Sequence, residues 1–157
     1  MSNFNIDFAT SADIPALCQL LTLLFAQEAE FQPDIAVQQR GLNAILTNAD
    51  VGEILVARQN VQIVGMVSLL YSISTALGGR VALLEDMVVA PLLRGSGLGS
   101  QLLTAAITHA QQRGCLRITL LTDADNYVAQ AFYQKQGFEK SPMMPLRLRL
   151  GSVDISS

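Results

Sequence analysis

The stretch Val88 to Ser100 reads Val-Val-Ala-Pro-Leu-Leu-Arg94-Gly-Ser-Gly-Leu-Gly99-Ser. Three alternating glycines stand between an apolar run and a segment of helical periodicity. Glycine lets successive backbone N–H groups turn toward one point, and a helix start adds unpaired donors and about half a positive charge. Such a loop cradles an anion, and phosphate or pyrophosphate suits it. Spacing excludes two familiar phosphate loops. A dinucleotide fingerprint needs Gly-x-Gly-x-x-Gly, but from Gly95 or Gly97 the last position falls on Ser100 or Leu102, with no acidic residue about 20 positions on. A nucleoside-triphosphate loop needs a Gly-Lys pair, and no lysine precedes Lys135. The plain alternative, a glycine-rich turn that only starts a helix, leaves two glycines that cost order without packing return.

Other reactive side chains are few. Tyr133 follows Asn126 by seven residues, hence nearly the same helix face two turns along. Between Glu53 and Asp123 the only acidic residues are the neighbours Glu85 and Asp86, which strand alternation sends to opposite faces. The single histidine, His109, and two distant cysteines, Cys18 and Cys115, offer no metal cluster and weaken any Ser-His or Cys-His nucleophile scheme. No metal is expected; His109 reads as part of a solvated helix face and the cysteines as free buried thiols.

The elements that must position these groups follow from periodicity. Asn5 to Ala9 alternates as a first strand, and Thr10 to Asp13 can cap a helix whose core face is Ile14, Leu17, Leu21, Leu24 and Phe25. Asp34 can cap a second helix to about Thr47. Glu53 to Arg58, Val61 to Tyr71 and Arg80 to Val89 read as three strands in meander order. Leu98, Leu102, Ala106 and Ala110 mark a helix that Gly114 can end in a left-handed conformation. Leu116 to Thr122 is then a strand in a right-handed strand-helix-strand unit, and Asn126 to Gln136 a helix. Phe138 to Lys140 and Leu146 to Leu150 are short final strands. One domain over residues 1–157 is expected, with no repeat or linker.

Composition narrows the classes. Only 15% of the residues are charged, half are hydrophobic, and the net charge is −3 with basic residues scattered, which disfavours nucleic acid as a partner. The uncharged window Gln59 to Gly79 is long enough to span a membrane. Its polar residues, three glycines and β-branched side chains suit buried strands instead. The N-terminus lacks a signal peptide's basic region and apolar core, so a cytoplasmic protein without a membrane partner is expected.

Arg94-x-x-Gly97-x-Gly99 resembles the pyrophosphate loop of the GNAT superfamily of acyl-CoA-dependent N-acetyltransferases. Leu84 to Pro91 is similar to the family's fourth strand entering that loop. Asp125 to Phe138 resembles its second signature, Asn-x-x-Ala-x-x-Phe-Tyr-x-x-x-Gly-Phe. The element order agrees over essentially the whole chain. The resemblance implies an α/β (α+β) fold with a mixed, mostly antiparallel twisted sheet of six to seven strands and about four helices.

It also implies acetyl-CoA as co-substrate and direct acetyl transfer to a primary amine of a small molecule or peptide. In such a site the amides of Gly95, Ser96, Gly97, Leu98, Gly99 and Ser100 hold the pyrophosphate, while Arg94 adds charge or braces the loop. Met87, Val88 and Val89 pair with the pantetheine arm through their backbone; Asn126 and Ala129 lie near that arm or the strand junction. Tyr133 protonates the departing thiolate. The diamine acetyltransferase branch has a similar Glu-Asp pair, which favours Glu85 as the base, acting through water; for Asp86 a structural role in the sheet weighs more. Glu28 and Glu30, with Asp34, cluster where the family covers its acceptor groove, although a solvated loop explains them equally well. The rivals are a non-catalytic CoA-sensing or interaction module and an acyltransferase using another acyl-CoA or an oxygen acceptor. The apolar surplus is assigned to a homodimer contact through the C-terminal strands.

Overall fold

The computed structural model describes residues 4–27 and 33–151. Among them are five strands and four α-helices: β1 (Phe4–Phe8), α1 (Ile14–Gln27), α2 (Ile35–Leu46), β2 (Gly52–Gln59), β3 (Gln62–Ser74), β4 (Gly79–Val89), α3 (Leu98–Gln112), β5 (Ile118–Leu120) and α4 (Tyr127–Lys135). The strands form one sheet in chain order, antiparallel from β1 to β4, with β5 parallel to β4 after the α3 crossover. The architecture is the expected mixed α/β fold with one clear departure. Phe138–Lys140 and Leu146–Leu150 are not strands, so the sheet has five strands rather than six or seven. Leu146, Leu148 and Leu150 alternate as a strand would, but alternation marks only a face; a strand also needs a neighbour to accept its ladder.

Two apolar layers cover the sheet. Val67, Leu69, Ala82 and Leu84 meet Leu98, Leu102, Leu103 and Ala106 of α3 on one face. Ile54, Val56, Met66 and Val88 meet Leu17, Cys18, Leu21 and Leu42 of α1 and α2 on the other. Capping follows the sequence closely: the Asp13 carboxylate accepts from Thr10 N at 2.8 Å, and Asp34 accepts from Val37 N at 3.3 Å. Asp13 also takes the Arg58 guanidinium at 2.9 and 3.1 Å, which ties the start of α1 to β2.

His109 corrects the sequence reading. Its side chain is 15% exposed, lies 2.9 Å from Glu53 Oε1 and meets Phe8 edge-on at 4.7 Å, so it belongs to a polar cluster between α3 and the sheet rather than to a solvated face. Periodicity assigned the helix but not the strand residue packed beneath it. Cys18 is buried and Cys115 only half-buried, both as free thiols. No helix among the described residues is long and apolar enough to cross a membrane.

Candidate active site

The site begins where β4 loses β5 and keeps only β3. β5 accompanies β4 only along Ala82–Leu84, so Glu85–Val89 runs on without β5 beside it. On the other edge the register slips: Ser68 faces Glu85 and Met66 faces Val88, so Val67 alone opposes both Asp86 and Met87. This is a β-bulge, and Asp86 takes it up with φ 53°, a left-handed conformation that aspartate tolerates better than most residues. Glu85 is exposed and, opposite Leu84 of the α3 layer, lies on the α1 side; Val88 is buried there, whereas Met87 and Val89 pack toward α3. Ser68, across from Glu85, is fully buried, and its hydroxyl has no hydrogen-bond partner among the described residues. Sequence reasoning missed it, although a serine inside the apolar run Met66-Val-Ser-Leu was a visible signal.

After β4 a short turn at Pro91–Leu93 leads into the glycine loop. Ser96 N donates to the Leu93 carbonyl at 3.2 Å, and the Ser96 hydroxyl donates to the same oxygen. Gly95 and Gly97 have φ of 81° and 89°, where a side chain would be strained, and an added Cβ would meet nothing within 4 Å. Gly97 is the N-cap of α3 and supplies no capping side chain; no acidic residue lies in the first turn. Leu98 N donates to the Ser96 hydroxyl at 3.4 Å, and the turn carries the positive end of the helix dipole with no acidic residue of its own to meet it. Arg94 and Ser100 are exposed beside the loop, and Leu98 is buried under it.

The fourth helix packs onto this end. Phe132 comes within 3.5 Å of where a Gly99 Cβ would stand, so any side chain there would press on the ring. Tyr133 is half-buried, edge-on to Phe132 at 5.2 Å and to Phe138 at 5.7 Å. Burial pushes its phenol pKa up, and no side chain among the described residues hydrogen-bonds its hydroxyl. Asn126 sits just outside the helix, its Oδ1 accepting from Ala129 N at 3.1 Å, so both residues are joined in the N-cap of α4. Asp34 caps α2, and Glu28 and Glu30 lie outside the described residues. The structure thus gathers the loop, the unaccompanied part of β4 and the Tyr133 helix at one end of the sheet.

Comparison with known proteins decides the family. The model of the Acetyltransferase (GNAT) family matches residues 14–138. The chain belongs to this family. This acetyltransferase is 32% identical over 139 residues to an uncharacterized N-acetyltransferase, YhfO, of Bacillus subtilis, covering 87% of this chain and 90% of that protein. It is 30% identical to the aminoalkylphosphonate N-acetyltransferase of Salmonella typhimurium, over 85% of this chain and 83% of that one. In structure it is similar to a predicted acetyltransferase of Clostridium acetobutylicum solved with acetyl-CoA, with a TM-score of 0.75, 21% identity and coverage of 93% and 96%.

Proposed function

We propose that this acetyltransferase carries an acetyl group from acetyl-CoA directly to a primary amine of a small molecule. The observation that carries the reading is the acid-free start of α3, entered through two positive-φ glycines and placed beside the part of β4 that β5 does not accompany. Amides from Gly95 to Ser100 are suited to the pyrophosphate, and Arg94 adds a positive charge at the rim. Backbone groups of Met87, Val88 and Val89, free of β5, are suited to the pantetheine amides. The thioester then lies in the opening between β4 and β5, where one β4 amide polarises its carbonyl. In other enzymes such a donor is worth about 3 kcal/mol.

Glu85 and Tyr133 stand on opposite sides of the sheet, which suits opposite proton transfers. The acceptor amine, protonated near neutral pH, gives a proton through water to Glu85. The freed lone pair attacks the carbonyl carbon, the C–S bond breaks, the sulfur takes the Tyr133 proton to leave as coenzyme A thiol, and the second proton shed by the new amide nitrogen returns through water to the Tyr133 oxygen. Burial keeps that phenol protonated through neutral pH, the state a donor needs. Asp86 shapes the bulge, and Asn126 and Ala129 fix the start of the Tyr133 helix.

Thiol release from acetyl-CoA across a panel of small amines, aminoalkylphosphonates among them, tests the reading. Saturable release with at least one amine is expected; coenzyme A binding without release for any amine would point to a sensing module instead. Tyr133→Phe should lower turnover at least about tenfold with coenzyme A affinity nearly unchanged. Unaltered turnover would remove Tyr133 from the mechanism.

A further inference from the structure

The buried polar side chains among the described residues are those of Gln38 and Ser68. Gln38 is fully used: its amide nitrogen donates to the Cys18 carbonyl at 3.2 Å, and its oxygen accepts from Asp34 N at 3.1 Å. The Ser68 hydroxyl, by contrast, meets no donor or acceptor there. A buried hydroxyl left unpaired destabilises a fold, and alanine would fill nearly the same space without that cost. Packing alone therefore gives no reason for a serine at this place.

Its neighbours point to a use. Met66, Ser68 and Leu70 share one face of β3, and Met66 places that face in the α1 layer. Across the ladder Ser68 is opposed by Ile54 of β2 and by Glu85 of β4. Ile54 is buried and apolar, so Glu85 is the polar side chain that faces Ser68 across the sheet. Glu85 is also the last residue of β4 in regular register before the bulge, which fixes its spacing from Ser68. Directly opposed residues hold their Cβ atoms about 5 Å apart. Turning the glutamate side chain alone can close that gap to a hydroxyl–carboxylate hydrogen bond of about 2.7 Å.

We propose, resting on Glu85 as the base, that Ser68 is its positioning residue: with the acceptor amine seated, Glu85 turns inward and one carboxylate oxygen accepts the Ser68 hydroxyl. The other oxygen takes the amine's proton through water, and Ser68 keeps its own proton throughout. In the state described here Glu85 is exposed, and water serves its carboxylate. A substrate that covers the carboxylate strips that water away. The buried hydroxyl then replaces it with a charge-assisted hydrogen bond that is already in place and costs no solvent to reach. The serine is thus idle in the free enzyme and used when the site is filled, which accounts for an unpaired hydroxyl beside the bulge.

Ser68→Ala should hold or raise Tm and bind coenzyme A as the wild type does. With the best amine of the panel its kcat should fall at least about tenfold while KM stays nearly constant, the mark of an interaction made on the way to the transition state. Ser68→Cys, close in size but a weak donor, gives the same test should Ser68→Ala fail to fold. In a Glu85→Gln background, itself slowed, adding Ser68→Ala should cost no more than about twofold, because no base remains to be positioned. Wild-type kcat in Ser68→Ala, or a loss that Glu85→Gln leaves undiminished, would overturn the proposal and leave Glu85 its role. Wild-type kcat in Glu85→Gln, or no thiol release with any amine, would remove the base and this role of Ser68 together.

Discussion

At its first turn α3 carries no acidic residue, and only the neutral Ser96 hydroxyl meets its amides, whereas its last turns are wrapped in ionic groups. There Glu53 Oε1 lies 2.9 Å from His109 Nε2 and 3.0 Å from Arg113 Nε, and accepts the Tyr71 hydroxyl at 2.7 Å; Arg113 also donates to the Ala49 carbonyl at 3.2 Å. Basic side chains suit the negative end of a helix dipole, and here the protein itself supplies their counter-charge from β2. The positive end is given no such counter-charge. One helix thus has a closed end that serves stability and an acid-free end proposed to serve a ligand, and the two can be perturbed separately.

The largest separation is expected from Gly97→Asp. Aspartate tolerates the left-handed region better than most residues, so strain at φ 89° should cost no more than about 1–2 kcal/mol of stability, while its carboxylate would stand where the coenzyme phosphate is expected. At a few ångström such repulsion is worth about 3 kcal/mol, so coenzyme A affinity measured by calorimetry should fall about a hundredfold. Unchanged affinity would show that this end of α3 does not hold the phosphate.

Glu53→Gln is the converse experiment. It weakens the hydrogen bonds of His109 and Tyr71 to the carboxylate and removes the charge facing Arg113, and should cost about 2 kcal/mol, a fall in Tm of about 4–8 °C, with coenzyme A affinity unchanged. A loss of affinity would mean that the two ends are coupled. Acid sharpens the same contrast. Burial alone would raise the Glu53 pKa, but His109, Tyr71 and the Arg113 charge outweigh it and hold the carboxyl below its ordinary value. A group depressed on folding adds stability above its unfolded pKa of about 4.3, and that contribution fades as pH falls through the folded value. Denaturant melts of the wild type and Glu53→Gln should therefore converge as pH drops below about 4.

The smallest effect belongs to Asp50→Asn. The Asp50 carboxylate is 87% exposed and 3.8 Å from Arg113, so stability should change by less than about 0.5 kcal/mol. A larger loss would extend the closed end of α3 out to the surface.

Much of this arrangement was written locally. The glycine loop, the Thr10 and Asp34 caps and the β-branched runs of β2, β3 and β4 are spacing and residue-type signals, and the structure realises them within a few residues. What was illegible is what depends on distant neighbours. His109 meets Glu53 across 56 positions, and helical periodicity names a face without naming what lies beneath it. Leu146 to Leu150 has the alternation of a strand, but no strand among the described residues pairs with it. Asn126 reads equally well as a helix residue and as a cap, and only backbone geometry separates the two. Ser68 and Glu85 become neighbours only through the register of two strands.

That register has a consequence of its own. The extra residue at Asp86 acts as a phase shift in the side-chain alternation of β4: Glu85 and Val88, three apart, face α1, while Met87 and Val89 face α3. Everything from Met87 into the glycine loop is out of step with everything before it. Deleting Asp86 would restore the simple alternation and leave Met87, Val88 and Val89 on their present faces. The bulge thus lets β4 carry one residue more than its ladder counts without turning the entry to the glycine loop over.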